Sequence, residues 1–396
     1  MKRDKILYFA WFFPPYRGSA SFIHQEIAKK LSLMFDVEIL SPFSRCLIRN
    51  GQIVKLKTFP KLHPGLMLMH YNLMCLQYYT KITRTIPEHM ESIAFIISQH
   101  HFWHPASKWA IKTGIKLGKP IVIRIDDIFL DYESFDPITQ KFYFMMFNEY
   151  IKLLKIPKII TVVSSEHKAI MINKLKIHPE NVLIHPNFID TSMFIKFKPK
   201  INFREVLGSP DYIITYSGSY TSYAGMKVLL KATKKIASEY RRIVVVLSIV
   251  NLSKRILRAI KRLIDKYDLN KKVIVISLPR KLVIDLILQS DILIGPISKH
   301  IVNYGAVPLK VLEYMALGKP VIVSSLISKD LAINRYNCIK IKTESEHELI
   351  NTIEILINDK ELRKYLGENA RKHVINFFDS QKVNSNFMRK ILNEVI

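Results

Sequence analysis

The sequence predicts an α/β protein built from two doubly wound domains in tandem. Short runs rich in Ile, Val, Leu and Tyr alternate with longer amphipathic stretches, the pattern of βαβ units around a parallel sheet. That alternation runs from residue 5 to residue 175 and restarts at residue 212. Between the two passes lies HPNFIDTSMFIKFKPKINF, residues 185–203, with two prolines and little periodicity, which reads as a linker. A chain of 396 residues is long enough for two separate cores.

In the first pass the expected strands are 5–12, 36–40, 93–98, 120–125 and 158–163. The expected helices are 20–33, 66–83, 104–117, 137–155 and 165–175. Gly118 before Lys119-Pro120 marks a helix stop ahead of a strand. In the second pass the strands are 212–217, 242–250, 272–276, 291–295 and 320–324, and the helices 225–239, 252–267, 280–289 and 308–317. Residues 346–396 read as three helices. The domains are therefore expected at 1–190 and 191–377, with the helix over 378–396 returning to the first. No short repeat and no low-complexity segment interrupts this order. In such sheets ligands bind beyond the carboxyl ends of the strands, near helix N-termini. With two such domains the expected site is the cleft they face.

Composition bounds the function. A hydrophobic fraction of 49% with 23% charged residues is that of a globular chain. No apolar run approaches the roughly 18–20 residues of a membrane span. The start, MKRDKILYFAWFFPPYRG, is basic and then apolar like a secretory leader. Its apolar part is short and ends in Pro14-Pro15-Tyr16-Arg17 without a small-residue cleavage site, so it reads as a buried first strand. Cys46, Cys75 and Cys338 lie too far apart for a disulfide framework or a zinc pattern, which points to a reducing cytoplasm. The net charge of +27 attracts polyanions: nucleic acid, anionic lipid or phosphorylated metabolites. The lysines are spread along the chain, so a merely basic surface explains part of it. The absence of zinc-finger spacing, an RNP-like run or basic heptads argues against nucleic acid as the partner.

Three stretches stand where chemistry is expected. In FPPYRGSASFIHQEIAKKLS, residues 13–32, Gly18 and Ser19 sit between the first strand and a helix. There the backbone can approach an anionic ligand, although a plain strand-to-helix turn looks the same. No dinucleotide G-x-G-x-x-G is present. TYSGSYTSYAGMKVLLKA, residues 215–232, repeats that layout: Gly218 and Ser219 end a strand, and a hydroxyl-rich loop suited to a phosphate or sugar leads to Gly225. A solvated loop is the alternative reading. In PLKVLEYMALGKPVI, residues 308–322, Pro308 suits a first helical turn. Leu309, Leu312, Ala316 and Leu317 form the core stripe, extended by Val311 and Met315. Lys310, Glu313 and Tyr314 share the remaining face. Glu313 could accept two hydroxyls at once, as a ribose diol offers, or simply form a solvated pair with Lys310.

Taken with its surroundings, SDILIGPISKHIVNYGAVPLKVLEYMALGKPVIVSS (290–325) closely resembles the nucleotide-sugar site of the group 1 (family 4) glycosyltransferases of the GT-B fold. FPPYRGSAS resembles their first glycine-rich loop and HPNFIDTSMF their inter-domain P-N-x-x-D-x-x-x-F. YSGSYTSYAGMKVLLKA resembles their G-x-x-x-x-K-G-x-x-x-L-L-x-A segment, and LPRKLVIDLILQSDILIGP the helix and strand before the donor loop. The resemblance covers nearly the whole chain, is specific in the donor segment and is weak over 40–95. It implies a metal-independent hexosyltransferase-type enzyme, with no cofactor beyond its nucleotide-sugar cosubstrate and retention as the usual outcome. Glu313 matches the second Glu of the family's E-x7-E, which holds the donor ribose. Pro308 and Leu309 would lie near the sugar or diphosphate. Of His100, His101 and His104 after the third strand, His100 best matches the family's acceptor-side histidine. H-H-x-x-H at a strand end is not a helical metal motif, and Asp126-Asp127 is the nearest approach to a D-x-D run.

The departures lie at the donor site. The first Glu of E-x7-E falls at Gly305, and the family's diphosphate-clamping Arg and Lys fall at Ser219 and Ala224. Each missing charge is worth a few kcal/mol in a water-excluded site. Lys310, Lys227, Arg280 or Lys299 would have to substitute, or donor binding differs, or activity is weak. The expected function is transfer of a sugar from a nucleotide sugar to a glycan or lipid-linked acceptor held by the first domain. KLHPGLMLMHYNLMCLQYYTKITRTI, residues 61–86, is basic at its ends and rich in Leu, Met and Tyr. It reads either as a buried helix pair or as a surface for a membrane or a lipid-linked acceptor. With a charge of +27 this suits a peripheral protein on the cytoplasmic leaflet. The alternatives are an inactive partner subunit on the same fold and a basic nucleic-acid binder.

Overall fold

The computed structural model describes residues 3–14, 19–59, 64–84, 93–100, 105–128, 151–195, 197–221, 225–300 and 304–395. Gly18, His101, His104, Ala224 and most of the helix expected at 137–155 lie outside them, as do the side chains of Ser19 and His100. The chain forms two compact units. The first comprises Met1–Pro186 with Val383–Ile396, and the second Asn187–Lys382.

In the first unit eight strands make one sheet: β1 (Lys5–Phe9), β2 (Asp36–Leu40), β3 (Ser44–Arg49), β4 (Gln52–Thr58), β5 (Ile93–His100), β6 (Ile121–Ile125), β7 (Ile159–Val162) and β8 (Val182–Ile184). Their spatial order is β4-β3-β2-β1-β5-β6-β7-β8. All pairings are parallel except β2–β3 and β3–β4. The helices are α1 (Ser19–Leu31), α2 (Pro64–Arg84), α3 (Ala106–Leu117) and α4 (Ser165–Asn173). The central strands are buried on both faces, as a parallel sheet covered by helices requires, so they read as continuous apolar runs. The chain leaves β1 to one side and returns at β5 on the other. The carboxyl ends of β1 and β5 therefore flank the topological switch point.

The β3–β4 hairpin and β8 were not among the expected strands. The hairpin turns at Asn50-Gly51, both with positive φ (51° and 77°), the conformation a two-residue type I′ connection needs. Its outer strand β4 is exposed at every position, so the alternation of buried and solvent-facing residues is missing there.

In the second unit six strands are all parallel: β9 (Tyr212–Gly218), β10 (Ile243–Ile249), β11 (Val273–Ile276), β12 (Ile292–Ile294), β13 (Val321–Ser324) and β14 (Ile339–Ile341). They are ordered β11-β10-β9-β12-β13-β14. The switch point lies at β9 and β12. A single-turn helix, α5 (Ser192–Ile195), lies in the stretch that read as a linker, and a second, α6 (Phe203–Val206), starts at its last residue. They are followed by α7 (Met226–Glu239), α8 (Lys254–Lys266), α9 (Arg280–Gln289), α10 (Leu309–Ala316), α11 (Glu346–Asn358), α12 (Lys360–Phe377) and α13 (Ser380–Val395). Side chains cap four of these helices: Asn202 on α6, Ser253 on α8, Ser345 on α11 and Asp359 on α12. Gly318 stops α10, its N–H bonding Met315 O at 2.9 Å while Lys319 N–H reaches Tyr314 O. From Val383 on, α13 belongs with the first unit, where its Phe387 ring stacks on His185 at 4.2 Å.

No helix of the described residues is long and apolar enough to cross a membrane. All three cysteines are buried and free.

Candidate functional site

In the second unit the side chains of α10 converge on the carboxyl end of β9. The alternative of a solvated Lys310–Glu313 pair needs correction. Lys310, Glu313 and Tyr314 do share a face, but it is packed against the strand end. Tyr314 is fully buried, and its hydroxyl accepts from Ser217 N at 2.8 Å and donates to Ser217 O at 3.1 Å. It thereby satisfies a backbone pair that the sheet leaves open where β9 ends. Lys310 reaches back over Tyr216, with Nζ 2.8 Å from the Tyr216 hydroxyl and 4.4 Å from the ring centroid. The Tyr216 hydroxyl in turn donates to Ser219 O at 2.8 Å.

Gly218 makes this arrangement possible. Its φ is +145°, and a Cβ there would lie 2.3 Å from Lys310 Nζ. The ammonium thus sits directly on the backbone of the loop after β9. Burial pushes its pKa down to about 8, against the attraction of Glu313. Burial likewise raises the Glu313 carboxyl, and Arg280 and Lys310 pull it back. Arg280, the first residue of α9, donates to Glu313 Oε1 at 2.8 Å. The Arg280 side chain is 56% exposed and that of Glu313 only 14%, so the carboxylate is held from one side by a solvent-exposed cation.

The structure thus brings together Glu313, Lys310, Arg280, Gly218 and Ser219. Pro308 caps the start of α10 in extended conformation and Leu309 opens the helix, half-buried. Lys299 is placed elsewhere, its nearest carboxylate being Glu344 at 3.7 Å on an exposed pair. Gly305 has φ +64°, and its N–H bonds Leu326 O at 2.8 Å. A glutamate would be strained in that backbone conformation, so the turn itself is built for glycine. Ser19 opens α1, and His100 is the last residue of β5.

The first unit holds a second constellation, which sequence reasoning touched only at Asp126-Asp127. It sits beyond the carboxyl ends of β1, β5 and β6. Buried Tyr8 hydrogen-bonds His24 Nδ1. His24 Nε2 is 2.8 Å from Asp126 Oδ2, which also accepts from Gln99 Nε2 at 3.1 Å. Arg124 Nε donates to Asp126 Oδ1 at 2.7 Å, and its Nη1 donates to His185 Nδ1 at 2.9 Å and to His185 O at 2.8 Å. His185 Nε2 closes the chain on Asn384 Oδ1 of α13 at 3.3 Å.

The protonation states follow. Burial raises the Tyr8 pKa, so its hydroxyl keeps the proton and donates to His24, which leaves Nε2–H for Asp126. Burial lowers both histidines, so both are neutral. Burial opposes the charge on Asp126, yet Arg124 and the bonds from His24 and Gln99 hold it well below the usual carboxylate range. One buried ion pair is therefore fully hydrogen-bonded between two neutral imidazoles. Next to it, burial and the Asp126 charge push Asp127 up to about 7.

That shift has a consequence for stability. A carboxyl with a raised folded pKa contributes stability below its unfolded value, near 4, and loses it as pH rises toward 7. Asp127→Asn should therefore be neutral in urea melts at pH 4. At pH 8 it should gain about 2 kcal/mol or more. An equal effect at both pH values would mean that Asp127 ionises freely. Among the described residues no group of three His, Cys, Asp or Glu is arranged to hold a metal ion.

Comparison with known proteins places these observations. Residues 197–373, just under half of the chain, match the family model for glycosyl transferases group 1. No curated protein sequence matches. Among solved structures, Anabaena HepE in complex with UDP superposes with a TM-score of 0.74 at 16% identity, covering 98% of this chain and 100% of that one. Sucrose-phosphate synthase from Thermosynechococcus elongatus gives 0.75 at 15%, covering 98% of each. A glycosyltransferase from Rickettsia africae gives 0.70 at 17%, again covering 98% of each. At such identities the likeness is one of fold.

Proposed function

We propose that this chain, which has the GT-B fold and matches the group 1 glycosyl transferase model over residues 197–373, is a glycosyltransferase that takes a sugar from a nucleoside diphosphate donor held by its second unit. The observation that carries this reading is the cluster of Glu313, Lys310 and Arg280 at the carboxyl end of β9. In this reading Glu313 binds the ribose diol. Lys310 stands on the Gly218 backbone and meets the diphosphate, with Arg280 beside it. These two cations take over from the Arg and Lys whose positions are Ser219 and Ala224, and the amino end of α10 at Pro308 and Leu309 adds its dipole. No metal ion is needed where protein cations take up the leaving charge. UDP is the first nucleotide to test, because the Anabaena relative was crystallised with it.

The acceptor, a glycan or lipid-linked hydroxyl, belongs to the first unit, near Gly18, Ser19 and the end of β5 at His100. Transfer with retention suits a site whose catalysis is positioning and charge stabilisation of the diphosphate and an oxocarbenium-like sugar. The enzyme works in the cytoplasm as a peripheral protein on the inner membrane face.

Titration calorimetry against UDP, GDP, ADP and their sugars tests the donor assignment. One nucleotide should bind clearly above the others. Its affinity should be level below pH 8 and fall above it, as free Lys310 loses its proton. Binding of none of them would overturn the donor site and leave an inactive partner subunit as the reading.

A further inference from the structure

Helix α2 has two apolar faces, and among the described residues only one has a partner. Tyr71, Cys75 and Tyr78 form the inner face. The Tyr71 hydroxyl reaches Leu40 O at 3.4 Å, its ring meets Trp11 edge-on at 5.4 Å, and the Tyr78 hydroxyl donates to Glu38 Oε2 at 2.7 Å. On the opposite side Leu66, Met69, Leu73 and Leu76 recur at spacings of three and four and are 52%, 65%, 53% and 45% exposed. That is the side on which an ordinary amphipathic helix carries charge.

The adjoining edge strand repeats the anomaly. Ile53, Val54 and Leu56 of β4 are exposed, interleaved with Lys55 and Lys57. Phe59, just after β4, packs its ring on His70 of α2 at 5.0 Å, so strand and helix form one surface. Between Ile39 and Pro87 the sequence has seven Lys and Arg and no Asp or Glu.

We propose that this surface, the outer stripe of α2 with strand β4, docks the first unit on a lipid bilayer bearing anionic headgroups. The aliphatic side chains enter the boundary between headgroups and acyl chains, while the lysines stay at the phosphates. Charge selects this occupant. A second copy would set two acid-free basic surfaces against each other, and a nucleic acid would leave the leucines in water. The inference deepens the functional reading above, since it gives the membrane a definite face of the molecule. It does not depend on which nucleotide is bound.

The test is co-sedimentation of the full chain with vesicles of phosphatidylglycerol and phosphatidylcholine, and with phosphatidylcholine alone. Binding should be strong to the first, weak to the second and reduced by salt. Met69→Glu with Leu73→Glu should lower partition by about tenfold or more, because two carboxylates would have to enter the interface. Those side chains face solvent, so melting temperature and nucleotide binding should not change, and these serve as the control for folding. Failure of the unmodified chain to sediment with the anionic vesicles would overturn the proposal, as would equal binding to both vesicles. Undiminished binding of the double variant would overturn the assigned face. A dimer in light scattering that the same substitutions dissolve, without vesicle binding, would assign the face to a second copy instead. Loss of nucleotide binding with vesicle binding intact would count against the donor site alone.

Discussion

Asp126→Ala is expected to destabilise the first unit by about 3–5 kcal/mol, a large share of the stability of a domain. The cause is what the substitution leaves behind. The Arg124 side chain is only 1% exposed, and Asp126 Oδ1 accepts from its Nε at 2.7 Å. Without Asp126 the buried guanidinium loses the carboxylate bonded to its Nε, and His24 and Gln99 lose an acceptor. Urea melts of the single variant and of Arg124→Met with Asp126→Ala separate the pair from its surroundings. The double variant should recover much of the loss, because removing both charges removes the desolvation penalty. A single variant within 1 kcal/mol of the unmodified chain would show that water reaches Arg124, and the network would then lose its rigid character. Asp126 itself brings no pH dependence near neutrality. Its folded pKa is depressed, so its contribution is complete above the unfolded value and is lost only in strong acid. The slope between pH 4 and 7 belongs to Asp127.

Glu313→Ala should abolish most of the nucleotide affinity while leaving the fold intact. Two hydrogen bonds from ribose hydroxyls to a carboxylate are worth roughly 3 kcal/mol or more, so the dissociation constant should rise about 100-fold. The structural cost is small. Arg280, the partner that would be lost, is more than half exposed, and burial already disfavours the Glu313 charge. The melting temperature should therefore hold. Calorimetry with the nucleotide and its 2′-deoxy form supplies a sharper check. The unmodified chain should discriminate strongly between them, and the variant should not. Full discrimination in Glu313→Ala would remove the carboxylate from the ribose site and leave Lys310 and Arg280 as phosphate ligands only.

Both predictions concern residues that sequence reasoning reached unequally. Glu313 was legible because its helix is bounded by local signals: Pro308 at one end, Gly318 at the other, and an apolar stripe between. Its partner Arg280 lay among four candidate cations that no spacing could rank, since the pairing joins two helices. Tyr314 was placed only on the face it shares with Lys310 and Glu313, because a helical wheel cannot tell solvent from the end of a strand. Asn50-Gly51 is a strong local signal for the β3–β4 hairpin, but the weakly patterned stretch around it drew no strand assignment. The constellation around Asp126 was nearly invisible. Tyr8, His24, Gln99, Arg124, His185 and Asn384 are scattered from the first strand to the last helix, and each alone resembles an ordinary core or surface residue.

The sequence by itself determined the class of fold, the strongly apolar strands with the helices between them, and the turn glycines, because these rest on periodicities and backbone preferences that act within a few residues. Only the tertiary structure decided which charges meet. It set Lys310 on Gly218, closed the buried pair of Arg124 and Asp126 between two neutral histidines, and left one apolar face of α2 exposed. Hydrogen bonds and ion pairs act over a few ångströms in space, and residues far apart in the chain come within that range only when the sheet brings strand ends together.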